Sequence, residues 1–360
     1  MTSNLEIRVF GDGNGESIFI KFPNNKIGII DFGCKYFLKW FTSYVTNKNL
    51  KFIEFLVWTH PHDDHTHYLI DLLDYCDKNQ ITINLFGRFH FGKLKGLSEL
   101  IGQIDERYLQ NSSTTYISKA KPGYLIKLFE KISDLKNKNL IKNIDAQLCI
   151  GKQLYGKDAI DDDISITCIA PCNSDIEKYN KKYDECLQKA CNSQGLQSDF
   201  SIESSFHNII SVALIIEFGN LKILLGGDVV NESWHEIYKD DRFPILKSNI
   251  VFLKAPHHGS NGAYNEDIWN NWGKDFEIII SPYNKAKIPK AEILEKIMTH
   301  STKIKILKDK SRKSVFGDSE FLVRKLALKD NSITTCPDAT HHIKYDITKK
   351  GDIISEWVKE

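Results

Sequence analysis

Apolar and polar positions alternate with a two-residue period in LEIRVF (5–10) and again in SIFIKF (17–22), on either side of the glycine-rich GDGNGE (11–16). Such alternation marks half-buried strands. The turn between them lacks the lysine and the following helix of a phosphate-binding loop, so it reads as a hairpin. KIGIIDFG (26–33) is a third strand, ending in Asp31 and Gly33, and FIEFLVWTH (52–60) delivers His60 to a strand end. In an open sheet flanked by helices, chemistry gathers at such ends.

From about Tyr68 to Ile160 the signal is mixed. It contains a helix-like HYLIDLLDYC (67–76), a strand ITINLFG (81–87) and a Lys-rich helical stretch, GYLIKLFEKISDLKNKNLIKNI (123–144). This part reads as a helix-rich insertion at about 68–160, its lysines forming a solvated face rather than a nucleic-acid surface. SITCIAP (165–171) resumes the strands, followed by IISVALIIEFG (209–219), LKILLGGD (221–228), SNIVFLKAPHHGS (248–260) and FEIIISPYN (276–284); AEILEKIM (291–298) is a helix. Two sets of strands with intervening helices predict an α/β fold, an αβ/βα sandwich of two mixed sheets covered outside by helices. The expected organisation is a single domain over 1–360 with a C-terminal extension from about 310.

Composition narrows the partners. Lys and Arg number 48 against 47 acids, so no global field draws the chain to DNA or a membrane. No apolar leader follows a basic start and no run is long enough to span a bilayer. Eight cysteines, at 34, 76, 149, 168, 172, 186, 191 and 336, are scattered without a disulfide framework, which suits a reducing cytoplasm. Cys168, Cys172, Cys186 and Cys191 are too loosely spaced for a structural zinc site and read as ordinary buried thiols.

The densest chemistry is WTHPHDDHTHY (58–68), with four histidines and two aspartates. A solvated turn has no reason to choose imidazoles and carboxylates this densely, whereas a metal site requires such donors close together. Asp63 and Thr66 read as spacers. Placed after a strand, the H-x-H-x-D-H of His60, His62, Asp64 and His65 resembles the signature of the metallo-β-lactamase superfamily. The resemblance continues in His207, four residues before Ser211, in Asp228 at the end of LLGGD, in His257 at the start of HHGS, and in Asp31 of IIDFG. Within that superfamily, GDGNGES, SITCIAP, the N-x-x-S of Asn208 and Ser211, HHGS and SPYN resemble the soluble hydrolase domain of ComEC-type competence proteins and their stand-alone relatives. That group commonly carries an aspartate at the position of His62, no histidine at that of His207, a histidine at that of Ile288 and glycine at that of His67.

The resemblance implies two divalent ions, zinc in the first place and manganese as the alternative. His60, His62 and His207 would hold one, Asp64, His65 and His257 the other, with Asp228 bridging and Asp31 orienting the loop. Two ions roughly 3.5–4 Å apart lower the pKa of a shared water and stabilise charge on an attacked centre. The expected activity is therefore metal-dependent hydrolysis by a hydroxide on the metal pair, with a phosphodiester in a nucleic acid or nucleotide as substrate. Ester, thioester or lactam hydrolysis is the alternative, and a non-catalytic metal-binding regulator the second. Asp64 counts among the catalytic residues as well as the donors, and His258 and His67 are the candidate proton donors. His90 reads as structural or substrate-side, His341 and His342 as surface residues. No membrane partner is expected, and the oligomeric state stays open.

Overall fold

The computed structural model describes residues 4–90, 122–156, 163–192, 204–240, 250–307, 333–335 and 340–359. The middle of the expected insertion, 91–121, and the 308–332 part of the expected extension lie outside them. One sheet is built from β1 (Leu5–Gly11), β2 (Glu16–Lys21), β3 (Ile27–Ile30), β4 (Phe52–Trp58), β5 (Thr82–Phe89) and β6 (Ile141–Leu148). The second takes β7 (Gln153–Tyr155), β8 (Ile164–Ala170), β9 (Ala213–Phe218), β10 (Leu221–Leu225), β11 (Ile250–Lys254), β12 (Glu277–Ile280), β13 (Ile304–Ile306) and β14 (Ile333–Thr335). The chain then returns to the first sheet with β15 (Thr340–Ile347) and β16 (Ile353–Lys359), giving the orders 16-15-1-2-3-4-5-6 and 14-13-12-11-10-9-8-7. Each sheet has an antiparallel half and a parallel half, β3 to β6 in one and β10 to β14 in the other.

The sheets pack face to face, and β9 shows why the pattern reads as it does. Leu214, Ile216 and Phe218 enter the core shared with the first sheet, while Ala213 and Ile215 enter a second apolar cluster with Trp234, Ile237 and Ile293. A strand buried on both faces needs apolar residues at nearly every position. Helices supply the outer layers: α1 (Lys35–Lys48), α2 (Asp63–Thr66), α3 (Leu69–Lys78), α4 (Pro122–Asn137), α5 (Asn173–Asn192), α6 (Asn231–Lys239), α7 (Glu266–Asn271) and α8 (Ala291–Met298). In α1 the buried Phe37, Phe41 and Val45 recur every four residues, and Phe37 meets Phe10 of β1 at 4.7 Å between ring centres. The αβ/βα sandwich of two mixed sheets expected from the pattern is the architecture found.

Two local expectations change. The Lys-rich helix stops at Asn137 rather than running to Ile144, and IKNIDAQL forms β6 at the sheet edge. With a partner on one side and buried residues chiefly at its two ends, an edge strand carries no period-two signal. Lys131 of α4 pairs with Asp74 and Asp77 at 2.7 and 2.9 Å, and Lys138 with Asp77 and Asp134, both at 2.8 Å, which ties α4 to α3. Finally, His342 is buried, not at the surface. It pairs with Phe10 across the β1–β15 ladder and stacks on that ring at 4.2 Å, whereas the side chain of His341 lies outside the described residues.

Cys168 and Cys172 are buried, as expected of packing thiols, and the side chains of Cys186 and Cys191 lie outside the described residues. No helix among the described residues is long and apolar enough to cross a membrane.

Away from the site, burial pushes the carboxyl of Asp175, in the first turn of α5, up to about 6. A folded-state pKa above the unfolded one means that the folded chain holds the proton more tightly. Its contribution to stability is full below about pH 4 and is lost as pH rises through about 6. Asp175→Asn is therefore expected to be more stable than the parent by about 1–3 kcal/mol at pH 8, the gap closing by pH 4. Urea midpoints at both pH values check this, and a gap that does not vary with pH would refute it.

Candidate metal centre

The site forms where strand ends of both sheets meet. After β4, the Thr59 backbone N–H and hydroxyl donate to the two oxygens of Asp31, at 2.8 and 2.7 Å, fixing the exit towards His60. Trp58 Nε1 donates to Thr66 Oγ1 at 2.9 Å, which draws α2 back over the strand that precedes it. Gly33 lies so close beneath α2 that a Cβ there would stand 1.6 Å from the Asp64 carbonyl oxygen, so no side chain fits. From α4, the Tyr124 hydroxyl reaches the carbonyls of Thr66 and His67 at 2.8 and 3.1 Å, holding the far end of α2. The second sheet contributes His207 on a 3-10 turn (Ser204–Ile210), Asp228 after β10 and the His257–His258 pair after β11. Asp228 is held by its own N–H, which donates to Ser211 Oγ at 2.9 Å.

Four histidines share one arrangement, with Nδ1 engaged away from the centre. His65 Nδ1 donates to Asp31 at 2.7 Å, His258 Nδ1 to the Ser281 carbonyl at 2.8 Å and His207 Nδ1 to the Tyr179 hydroxyl at 2.9 Å, while His60 Nδ1 stands 3.0 Å from Thr59 Oγ1. An imidazole whose Nδ1 carries the proton offers the lone pair of Nε2. His60 Nε2 then lies 3.0 Å from His62 Nδ1 and 3.6 Å from Asp228 Oδ2. His65 Nε2 lies 3.4 Å from Asp228 Oδ1, and His258 Nε2 lies 2.9 Å from Asp64 Oδ2 and 3.6 Å from Asp228 Oδ2. Two groups of donors result, Asp64 with His65, Asp228 and His258, and His60 with His62 and Asp228, the donor atoms of each lying within 4.8 Å of one another.

His65 Nε2, His207 Nε2 and Asp228 Oδ1 are buried without a hydrogen-bond partner. Orphaned buried polar atoms are costly, and cations held at the donor groups would satisfy those of His65 and Asp228. For His60 and His207 the electrostatics agree. Burial, then the charges of neighbouring histidines, hold His60 well below its usual pKa, and burial with His62 lowers His207 to about 3. Both are therefore neutral donors at pH 7. Burial opposes charge on Asp64 and Asp228, but the imidazoliums of His65 and His258 outweigh it and hold both carboxyls well below their usual range. Burial likewise opposes charge on His65 and His258, and the surrounding carboxylates outweigh it in turn and raise both, so these two rings would shed the Nε2 proton on taking up a cation.

Not every expected residue falls in place. The structure groups His258, not His257, with Asp64, His65 and Asp228. The two residues are consecutive in the left-handed region, φ 44° and 55°, and this double turn carries the second imidazole inward. The His257 side chain stays 25% exposed, with Nδ1 at 3.0 Å from Ser260 Oγ, Nε2 at 3.2 Å from Asn208 Nδ2 and 3.9 Å from Asp228. The His207 ring centre is 5.8 Å from that of His62, beyond the tighter grouping. His67, expected beside the site as a proton donor, is exposed and outside both groups. Four residues after Asp63, it shares the outer side of the turn with that residue. His90 is half-buried against Asn180 at 3.4 Å and is likewise outside both groups.

Sequence reasoning overlooked four residues. Tyr179 orients His207, and Tyr283 stacks on His258 at 5.3 Å. Glu16 and Lys254 form an ion pair at 2.6 Å beneath the cluster, 2% and 0% exposed. The one legible signal was Lys254, a lone cation in the apolar run VFLKAP.

No protein-family model matches the chain, and no curated protein matches it by sequence. Among solved structures, the metallo-β-lactamase fold protein YhfI from Bacillus subtilis is 12% identical, covering 84% of this chain and 96% of its own, with a TM-score of 0.42. A diphosphatase from the PhnP family is 11% identical, covering 93% of this chain and 95% of its own, with a TM-score of 0.38. A long form RNase Z from yeast is 11% identical over 99% of this chain and 49% of its own, with a TM-score of 0.41.

Proposed function

We propose that the protein is a metal-dependent hydrolase of the metallo-β-lactamase superfamily that cleaves phosphodiester bonds in a nucleic acid or nucleotide. The observation that carries this reading is the set of three outward-tied imidazoles, His60, His65 and His258, whose Nε2 atoms converge on two ionised aspartates, with a fourth, His207, whose Nε2 is buried and unpartnered. In this reading Asp64, His65 and His258 hold one divalent ion, His60, His62 and His207 the other, and Asp228 both. Imidazole with carboxylate suits zinc first and manganese second. Bound there, such ions would supply an activated water and positive charge opposite the attacked centre.

The chain's own residues do the rest. Asp31, the Ser281 carbonyl and Tyr179 fix ring orientation, so that the donors need little rearrangement to engage. His257, on the open side with its ring held between Ser260 and Asn208, faces the substrate as a hydrogen-bonding group rather than as a donor to metal. The choice of a phosphodiester rests on the resemblance of HHGS and the N-x-x-S of Asn208 and Ser211 to the ComEC-type hydrolase domain.

Elemental analysis of the purified protein, followed by assays on bis-p-nitrophenyl phosphate, single-stranded DNA, RNA, a thioester and a lactam with added zinc or manganese, tests the reading. About two ions per chain are expected, since seven donors exceed what one ion uses, with phosphodiesters turned over fastest. A thioester or lactam rate above that of every phosphodiester would transfer the assignment to acyl hydrolysis. Two bound ions with no turnover of any substrate would favour a regulatory metal protein.

A further inference from the structure

We infer that the 283–288 hairpin after β12 is the anion-binding arm of the site, in which the Tyr283 hydroxyl and the Lys285 ammonium take a non-bridging oxygen of the substrate's phosphodiester. This rests on the hydrolase reading above and names how the substrate class is selected. Tyr283 and Ile288 close the hairpin through reciprocal backbone hydrogen bonds of 3.0 and 3.3 Å. Its base is anchored to the β1–β2 turn, where Asn284 N–H donates to the Gly13 carbonyl at 2.7 Å and the buried Asn284 amide packs so tightly on Gly13 that a Cβ there would stand 2.2 Å from it. The arm is therefore positioned by the scaffold and not free to swing.

The Tyr283 ring lies nearly parallel to His258, 22° between planes, so a half-buried phenol stands at the wall of the donor cluster. The carboxylates of Asp63, Asp64 and Asp228 all act on it electrostatically. Among the described residues its hydroxyl, open to solvent, has no hydrogen-bond partner. A substrate oxygen held at the cluster would supply it. Lys285 is exposed at the hairpin tip, 5.7 Å from the Tyr283 ring centre and within electrostatic range of Asp63, which places a cation at the mouth on the same side. A neutral donor beside the reacting centre with a cation outside it suits an anionic oxygen. A neutral ester would gain nothing from the lysine.

The test compares Tyr283→Phe and Lys285→Gln with the parent, each metal-loaded and with metal content measured first. Equilibrium binding of inorganic phosphate is read by calorimetry, and KM is read for bis-p-nitrophenyl phosphate and for neutral p-nitrophenyl acetate. A hydrogen bond to a charged group contributes about 1.5–3 kcal/mol, so Tyr283→Phe should weaken phosphate and raise the phosphodiester KM by about 10–100-fold. Lys285→Gln should do so by about 3–5-fold with a weaker salt dependence, as an exposed charge does. Both effects should fall on the anionic substrate over the neutral one, at unchanged metal content. A parent that binds no phosphate, variants that bind it as the parent does, or equal losses on both substrates would each overturn the inference. A parent that binds phosphate tightly at the arm yet cleaves only acyl substrates would overturn the phosphodiesterase reading and leave the arm standing.

Discussion

His258→Ala is expected to lose one metal ion and hydrolytic activity together, whereas His257→Ala keeps its metal. His258 is 2% exposed and its Nε2 lies 2.9 Å from Asp64 and 3.6 Å from Asp228, with Nδ1 fixed on the Ser281 carbonyl. His257 reaches no closer than 3.9 Å to Asp228, and both its ring nitrogens already face Ser260 and Asn208. On the proposed dinuclear reading, removing a donor should cost roughly a thousandfold in rate, about 4 kcal/mol of transition-state stabilisation. For His257→Ala the loss should appear mainly in KM, as for a substrate contact. Metal content per chain, measured on both variants before any assay, decides the matter. Metal lost from His257→Ala and retained in His258→Ala would restore the order expected from the sequence.

Lys254→Met should be the most destabilising change outside the donor set. Its ammonium is wholly buried and meets Glu16 at 2.6 Å, joining β11 of one sheet to β2 of the other. Removing one partner of a buried ion pair leaves the other charge uncompensated and costs about 3–5 kcal/mol, whereas replacing both is close to neutral. Glu16→Gln combined with Lys254→Met should therefore recover most of the loss. Metal affinity should follow a different course. Glu16 lies 3.6 Å from His258 Nδ1 and 3.9 Å from His65 Nδ1, so a freed carboxylate competes with the Ser281 carbonyl and Asp31 for those protons. Disturbing such outer partners typically costs 10–100-fold in metal affinity. Denaturant midpoints of the single and double variants test the stability claim. A single variant that loses less than about 1 kcal/mol, or a double variant no better than the single, would be incompatible with a paired role.

The candidate donors were legible because they are chemically unusual for their context. Histidines at the ends of apolar strands have no packing reason to recur, and His60, His62, Asp64, His65, His207 and Asp228 all stood out. Which member of the HHGS pair turns inward was not legible, since it depends on two successive backbone angles that no side chain announces. Tyr179 sits in an ordinary polar helix, and only the fold brings it to His207. The strands were legible where they are buried on two faces, as in β9. The reading missed β6, exposed at the edge, and β15, whose pairing with β1 joins opposite ends of the described chain.

The division of the site between two sheets bears on how the protein is made. Asp64 and His258, which meet at 2.9 Å, are 194 residues apart. At about 5–20 residues per second, a ribosome delivers the second some 10–40 s after the first. During that interval the loop after β4 presents His60, His62, Asp64 and His65 without the partners that shape them into a centre. In that state affinity follows the Irving–Williams order, which favours copper over zinc or manganese. On the proposed reading, the geometry that discriminates between ions exists only once the second sheet has docked, and the metals accessible to the protein at that moment would decide what the finished molecule carries.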